Sequence, residues 1–244
     1  RWYDGTLVSN YEAPRDWVPA TLTPDQILEI NARVHVKNML IDEALGRVMA
    51  LIESRGWTDS TDVIFTTDHG EFQGDYGLLF KGPYHVDSLM RLPMIWRPAK
   101  DAGAVPAVVK APVGLIDLAP TFCEIAGLPV PEWMEGKPLP QSDAAADEQG
   151  RERVLTVWDS VHPNGTRIHL RTIYRDGWTC TSALPGTVHD GTEGELYCHA
   201  DDPLQRVNRW DDPSVRALRD DLVADCFENL PTWEEPHMQI AAPV

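Results

Sequence analysis

The chain has 244 residues, 43% of them hydrophobic and 24% charged, so it can build a packed core and is not a disordered segment. Its formal net charge of −17 argues against a nucleic-acid partner or an anionic membrane surface, since both require basic patches. No apolar run approaches the roughly 20 residues of a membrane-spanning helix.

Residues 1–22, with Pro14, Pro19 and two tryptophans, read as an irregular entry segment laid over the surface. The first residue is Arg1 rather than Met, and no charged-then-apolar leader follows. That leaves a removed leader or a piece of a longer chain, with a cytoplasmic location favoured over a periplasmic or secreted one. A long helix is then predicted. Thr23 is a good N-cap, Pro24 suits the first helical position, and Gln26 completes a capping box. Ile27, Ile30, Val34, Ile41, Leu45, Val48 and Ile52 recur at helical spacing and form one apolar stripe. Gly56 ends the helix, and Gly46 inside it suggests a close neighbour.

Asp62 to Thr66 reads as a strand with a continuous apolar centre, which predicts a parallel sheet covered on both faces. A glycine-marked loop, 67–88, follows at the strand's C-terminal end, where open α/β sheets bind ligands. LPMIW at 92–96 is the next predicted strand. A helix is predicted from Asp117 to Ile125, stopped by Gly127, with Leu118, Phe122 and Ile125 facing inward. The polar stretch 136–152 reads as a surface loop and a subdomain boundary, dividing the chain into 1–140 and 141–244. Beyond it, the segments 154–158, 168–174, 177–184 and 194–199 are short, alternating and separated by turns, as in an antiparallel sheet. Asp212-Pro213 opens a last helix, with Val215, Leu218, Leu222, Cys226 and Phe227 on its apolar side, before a proline-rich tail from Pro231. Cys123, Cys180, Cys198 and Cys226 make no CxxC pair and no zinc spacing. They read as reduced thiols, with a Cys180–Cys198 bridge left open.

The stretch TTDHGEFQGDYGLLFKG, 66–82, carries the chemistry. Asp68 and His69 adjoin at the end of a strand. Carboxylate oxygen suits Ca²⁺, Mg²⁺ or Mn²⁺, and imidazole tilts the choice towards Mn²⁺ or Zn²⁺. Both can reach one ion only where the backbone turns sharply, a freedom that Gly70 supplies. Such ions want about six ligands, so others must come from elsewhere. Lys81 can neutralise an oxyanion sitting on the metal. His85, four residues on, can donate a proton to a leaving oxygen. The competing reading is a strand-capping turn with a solvated lysine.

The stretch IFTTDHGEFQGDYGLLFKGPYHVDSLMRLPMIW resembles the hallmark of sulfatases in the alkaline-phosphatase-like superfamily. The segments around IDEALGR, DLAPTFCEIAGLP and GELYCHADDPLQRVN are similar to further family stretches, in family order. The resemblance implies an α/β fold with a central, mostly parallel sheet flanked by helices, and a smaller C-terminal antiparallel sheet plus helix. It implies that Asp68 and His69 bind the active-site divalent cation, Ca²⁺ first with Mn²⁺ or Mg²⁺ as alternatives. Lys81 then binds a sulfate oxygen, and His85 is a weaker catalytic carry-over. The substrate implied is a small-molecule sulfate ester. The alternatives are a phosphonate monoester hydrolase or phosphodiesterase of the same superfamily, and a non-catalytic split homologue.

Two departures stand out. Tyr76 replaces the usual histidine of GDHG. The chain also lacks the CxPxR or SxPxR motif whose residue becomes formylglycine, the family's nucleophile, because Cys123 sits in FCEIA without the proline and arginine. Formylglycine and the remaining acidic ligands are therefore expected in a missing N-terminal half. This chain alone is expected to be inactive, and a homo-oligomer remains open.

Overall fold

A computed structural model describes residues 22–102, 106–161 and 165–230. The predicted entry segment up to residue 21 and the tail from Pro231 lie outside the described residues. The chain divides into two compact units, one of residues 1–84 and 88–106, the other of residues 85–87 and 107–244.

The first unit opens with helix α1, Pro24–Ser54. Its capping box forms as the sequence predicts: Gln26 N–H donates to Thr23 Oγ1 and Thr23 N–H to Gln26 Oε1, at 3.3 and 2.9 Å. Gly56, at φ +70°, lies just past its end. Among the described residues Gly46 lacks the expected close neighbour, since a Cβ built on it meets nothing within 4 Å. Strand β1, Val63–Thr66, follows, then the short strands β2, Phe72–Gln73, and β3, Leu79–Phe80. One helical turn, α2, Asp87–Met90, precedes β4, Met94–Arg97.

The predicted parallel pairing is not what these strands do. β1 pairs with β4 antiparallel, Val63 opposite Arg97 and Thr66 opposite Met94, and no described strand pair is parallel. The reason lies in the connection. Parallel neighbours need a crossover of a dozen or more residues, usually a helix. Between β1 and β4 the chain instead makes the β2–β3 hairpin and a single turn of helix. β1 is half-buried within residues 1–244. Trp96 Nε1 donates to Asp62 Oδ1 at 2.8 Å and ties the two strands together at one end.

The second unit is built on a four-stranded antiparallel sheet, β5 (Arg153–Val161), β6 (Arg167–Arg175), β7 (Trp178–Ala183) and β8 (Gly194–Cys198), in chain order, as the alternation predicts. One face carries α5, Arg216–Asn229. Leu222 and Cys226 pack there on Ile173, Cys180 and Leu196, with Val215 and Leu218 beside them. Phe227, predicted inward, is exposed. All four cysteines are free. Burial pushes the Cys180 and Cys226 thiols up to about 12, so neither is a thiolate at neutral pH. Within the polar stretch 136–152 the structure adds a short helix, α4 (Asp143–Glu148), capped by Ser142. No helix among the described residues is long and apolar enough to cross a membrane.

Helix α3, Leu118–Ile125, buries Pro120 and Thr121 rather than Phe122 and Ile125. Its anchor is Asp117, one side-chain turn before it. The buried Asp117 carboxylate accepts from Gly114 N and Lys137 N, each at 2.9 Å, and from Arg151 Nη1 at 2.8 Å. Both members of this ion pair have side chains only 6% exposed. Removing one partner leaves a buried charge without compensation. Asp117→Ala is expected to cost about 3 kcal/mol or more, read as a lowered urea midpoint for residues 1–244. A midpoint unchanged from wild type would show that the pair does not hold this region.

Candidate functional site

The site is assembled by the turn that leaves β1. Gly70 is required there for proximity rather than for an unusual φ: a Cβ on it would lie 2.0 Å from Ser88 O. Gly70 N–H donates to Leu89 O at 2.8 Å and pins the turn against α2. The β2–β3 hairpin continues from this turn, with Phe72 opposite Phe80. Its tip needs left-handed backbone at Gly74, Tyr76 and Gly77, φ 110°, 56° and 72°. Phe80, next to Lys81, also has a left-handed backbone, at φ 64°. Such values in bulky residues carry strain that the surroundings must hold. Around Tyr76 those surroundings include Phe72, whose ring meets it edge-on at 5.9 Å. Gly74 lies against α1, where a Cβ would come within 2.7 Å of Ile27 Cγ2.

Asp68 and His69 come together on this turn. His69 N–H donates to Asp68 Oδ1 at 2.9 Å, and the Thr67 hydroxyl donates to the same oxygen at 3.2 Å. The His69 backbone N–H, with the Thr67 hydroxyl beside it, holds the Asp68 carboxyl below the usual carboxylate range. His69 Nδ1 lies 2.7 Å from Gly70 O. A carbonyl oxygen can only accept, so Nδ1 carries the proton, and in the neutral ring Nε2 presents a lone pair. Nε2 lies 3.6 Å from Asp68 Oδ2. Two potential electron-pair donors thus stand side by side. Adjacent ligands on an ion with bonds of about 2.3 Å stand a little over 3 Å apart, so the spacing suits a divalent cation. Imidazole N–H donation to a backbone carbonyl is the usual support of a metal-bound histidine. The donor set fits such an ion but does not complete it: no third His, Cys, Asp or Glu joins them among the described residues. The Asp68 side chain is 82% exposed, open to further ligands.

Lys81 follows β3 and is partly buried. Among the described residues it makes no ion pair, with Asp68, His69 or any other group, so its ammonium is not spent on a structural carboxylate. Asp75 is exposed and accepts from Ser88 Oγ at 2.5 Å, which braces the hairpin tip against α2.

His85 belongs to the second unit and is 4% exposed. Burial, with the Arg171 guanidinium adding to it, lowers its pKa to about 4. The ring is therefore neutral at pH 7. Thr172 on β6 donates to Thr181 Oγ1 on β7 at 2.8 Å, so it takes the His85 Nδ1–H at 2.7 Å. The one ring proton of His85 is committed to the sheet. The residue expected to donate a proton to a leaving oxygen is thus, at neutral pH, an uncharged ring hydrogen-bonded to the sheet. Thr172, 87 residues away, carried no sequence signal for the contact.

The protonation of His85 has a consequence for stability. An unfolded histidine takes up a proton near its ordinary 6.5, while the folded one resists until about 4. Protonation therefore favours unfolding, and stability is lost as pH falls from 6.5 towards 4, by about 3 kcal/mol in all. Measured as urea midpoint against pH, His85→Gln is expected to flatten that slope relative to wild type. Parallel wild-type and variant profiles would mean that His85 titrates normally.

The Sulfatase family model matches residues 34–128, which span α1 from Val34, the Asp68-His69 turn, Lys81 and α3. The chain is 28% identical over 232 residues to the uncharacterized sulfatase YidJ of Escherichia coli, a match covering 92% of this chain and 44% of that protein. It is 37% identical over 123 residues to the multifunctional alkaline phosphatase superfamily protein PehA of Trinickia caryophylli, covering 49% of this chain and 23% of that one. Among solved structures, the phosphonate monoester hydrolase of Agrobacterium radiobacter superposes with a TM-score of 0.75 at 23% identity, over 85% of this chain and 42% of that one. This last likeness is one of fold. The chain spans less than half the length of each of these proteins.

Proposed function

We propose that this chain, whose residues 34–128 are a sulfatase-family segment, supplies the cation-gripping turn and the oxyanion lysine of a sulfuric ester hydrolase completed by polypeptide outside residues 1–244. The observation that carries this reading is the proximity of Asp68 Oδ2 and His69 Nε2, 3.6 Å apart, inside the matched segment. A divalent cation bound there, with Ca²⁺ the first candidate, would polarise the ester's tetrahedral oxyanion and lower the charge cost of attack on it. Asp68 holds its negative charge because the turn donates two hydrogen bonds to one of its oxygens. His69 keeps its lone pair outward because its proton is given to Gly70 O. Lys81, with no partner among the described residues, places an ammonium on the non-bridging oxygens, where charge persists through the transition state. His85 is given a positioning role through its bond to Thr172, since its proton is already spent.

Nothing in this donor set separates sulfate from phosphonate or phosphate, because all are tetrahedral oxyanions. The likeness in fold to a phosphonate monoester hydrolase keeps that chemistry as the second reading. The nucleophile is assigned to the completing polypeptide, as a formylglycine formed there.

In the longer polypeptide, Lys81→Ala is expected to lower kcat on an aryl sulfate by about 100-fold or more, as loss of an oxyanion donor does. A phenylphosphonate monoester, assayed beside it, decides between the two esters. Unchanged kinetics for the variant would take Lys81 out of the site. Residues 1–244 alone are expected to turn over neither ester, and robust hydrolysis by that purified chain would overturn the assignment of the nucleophile elsewhere.

A further inference from the structure

Helix α1 runs for 31 residues without one buried side chain. The stripe predicted from the sequence is only half-covered, and two of its members, Ile41 and Val48, are exposed. A second apolar line lies beside it. Val36, Leu40 and Leu51 are 56%, 60% and 51% exposed, with Ala44 between them on the same face. Together the two lines make the middle of α1 apolar around about half its circumference, the pattern of a helix meant for an interior. The charges along the exposed line are largely settled within the helix, Arg33 with Glu29 and Arg47 with Glu43. This face therefore asks for an apolar covering rather than a charged one. The β1–β4 sheet of the same unit gives an independent sign: Ile95 is 62% exposed and, among the described residues, the sheet has two strands. Two-stranded sheets are marginal unless extended or covered.

We propose that the open face of α1 is the docking surface for the complementary part of the α/β domain, carried on polypeptide beyond residues 1–244 and presenting an apolar face. The proposal rests on the functional reading above and names the surface that the completing polypeptide occupies. The occupant is argued from length. The chain accounts for 44% of the YidJ sulfatase and 42% of the phosphonate monoester hydrolase structure, although 92% and 85% of the chain itself is matched. More than half of each such protein is therefore available to cover a helix this long. Interfaces within one domain are as apolar as a core cut in two, and this face has that character.

The test compares residues 1–244 with the polypeptide encoded by the whole reading frame that contains them, by hydrogen exchange and sedimentation. Amides of residues 36–51 are expected to exchange at least about tenfold more slowly in the longer polypeptide. Val36→Glu with Leu40→Glu is expected to leave the helical circular dichroism of 1–244 unchanged while lowering its binding of an apolar dye. The same pair is expected to lower the thermal midpoint of the longer polypeptide. Equal exchange in the two polypeptides overturns the proposal, as does a reading frame no longer than residues 1–244. A dimer of 1–244 that the double substitution dissociates assigns the face to a second copy and overturns it too. Protection of 36–51 in a longer polypeptide that hydrolyses no sulfate ester would refute the functional reading and leave this one standing.

Discussion

The hydrogen bond from His69 Nδ1 to Gly70 O, on a turn clamped at Gly70 against α2, decides what the turn after β1 can do. Without it the imidazole could place its proton on either nitrogen, and Asp68 would face a hydrogen-bond donor. With it, the Nε2 left without a proton in a neutral ring stands 3.6 Å from the Asp68 carboxylate, a pairing that a nearby cation would favour. The clamp is steric. No side chain larger than hydrogen fits at position 70, where a Cβ would lie 2.0 Å from Ser88 O. The rest of the hairpin up to Lys81 is hung from that fixed point by the Asp75–Ser88 bond and by the packing of Phe72 with Tyr84.

A parallel logic holds His85 in the second unit. Two threonines on neighbouring strands form a chain of hydroxyls that ends on its ring. A buried imidazole with one satisfied proton is worth keeping neutral, and burial together with Arg171 does so. The chemistry that a KGPYH stretch suggests, a proton donor four residues past a lysine, is thereby turned into a tether. Residue type alone could not reveal this, because the decisive partner lies 87 residues on.

What was legible in the sequence follows local rules. Thr23, Pro24 and Gln26 form the cap they spell, and the alternation from 153 to 198 gives the four antiparallel strands. Asp68 and His69 adjoin in sequence, so their meeting needed only a turn. What was not legible depends on contacts at a distance or on what is absent. An apolar strand such as VIFT reads the same whether its faces are covered or half-open, and its antiparallel partner was set by a hairpin rather than by a crossover. Phe122 looks like a core residue of α3, yet the helix is held by Asp117, Pro120 and Thr121, and Phe122 is exposed. Among the described residues nothing lies close to Gly46, and Val36, Leu40 and Leu51 stay exposed.

The charge balance sharpens the functional argument. A chain with a net charge of −17 repels an anionic ester at long range, so attraction must be local and strong. Most of the basic side chains near acids are already committed: Arg151 to Asp117, Arg171 to Asp159, Arg175 to Asp221 and Asp225. Among the described residues Lys81 makes no ion pair, and Asp68 and His69 lie 3.6 Å apart, where the proposed divalent ion would sit. On the proposed reading, a chain of this composition holds a tetrahedral oxyanion where a bound cation and the Lys81 ammonium act together.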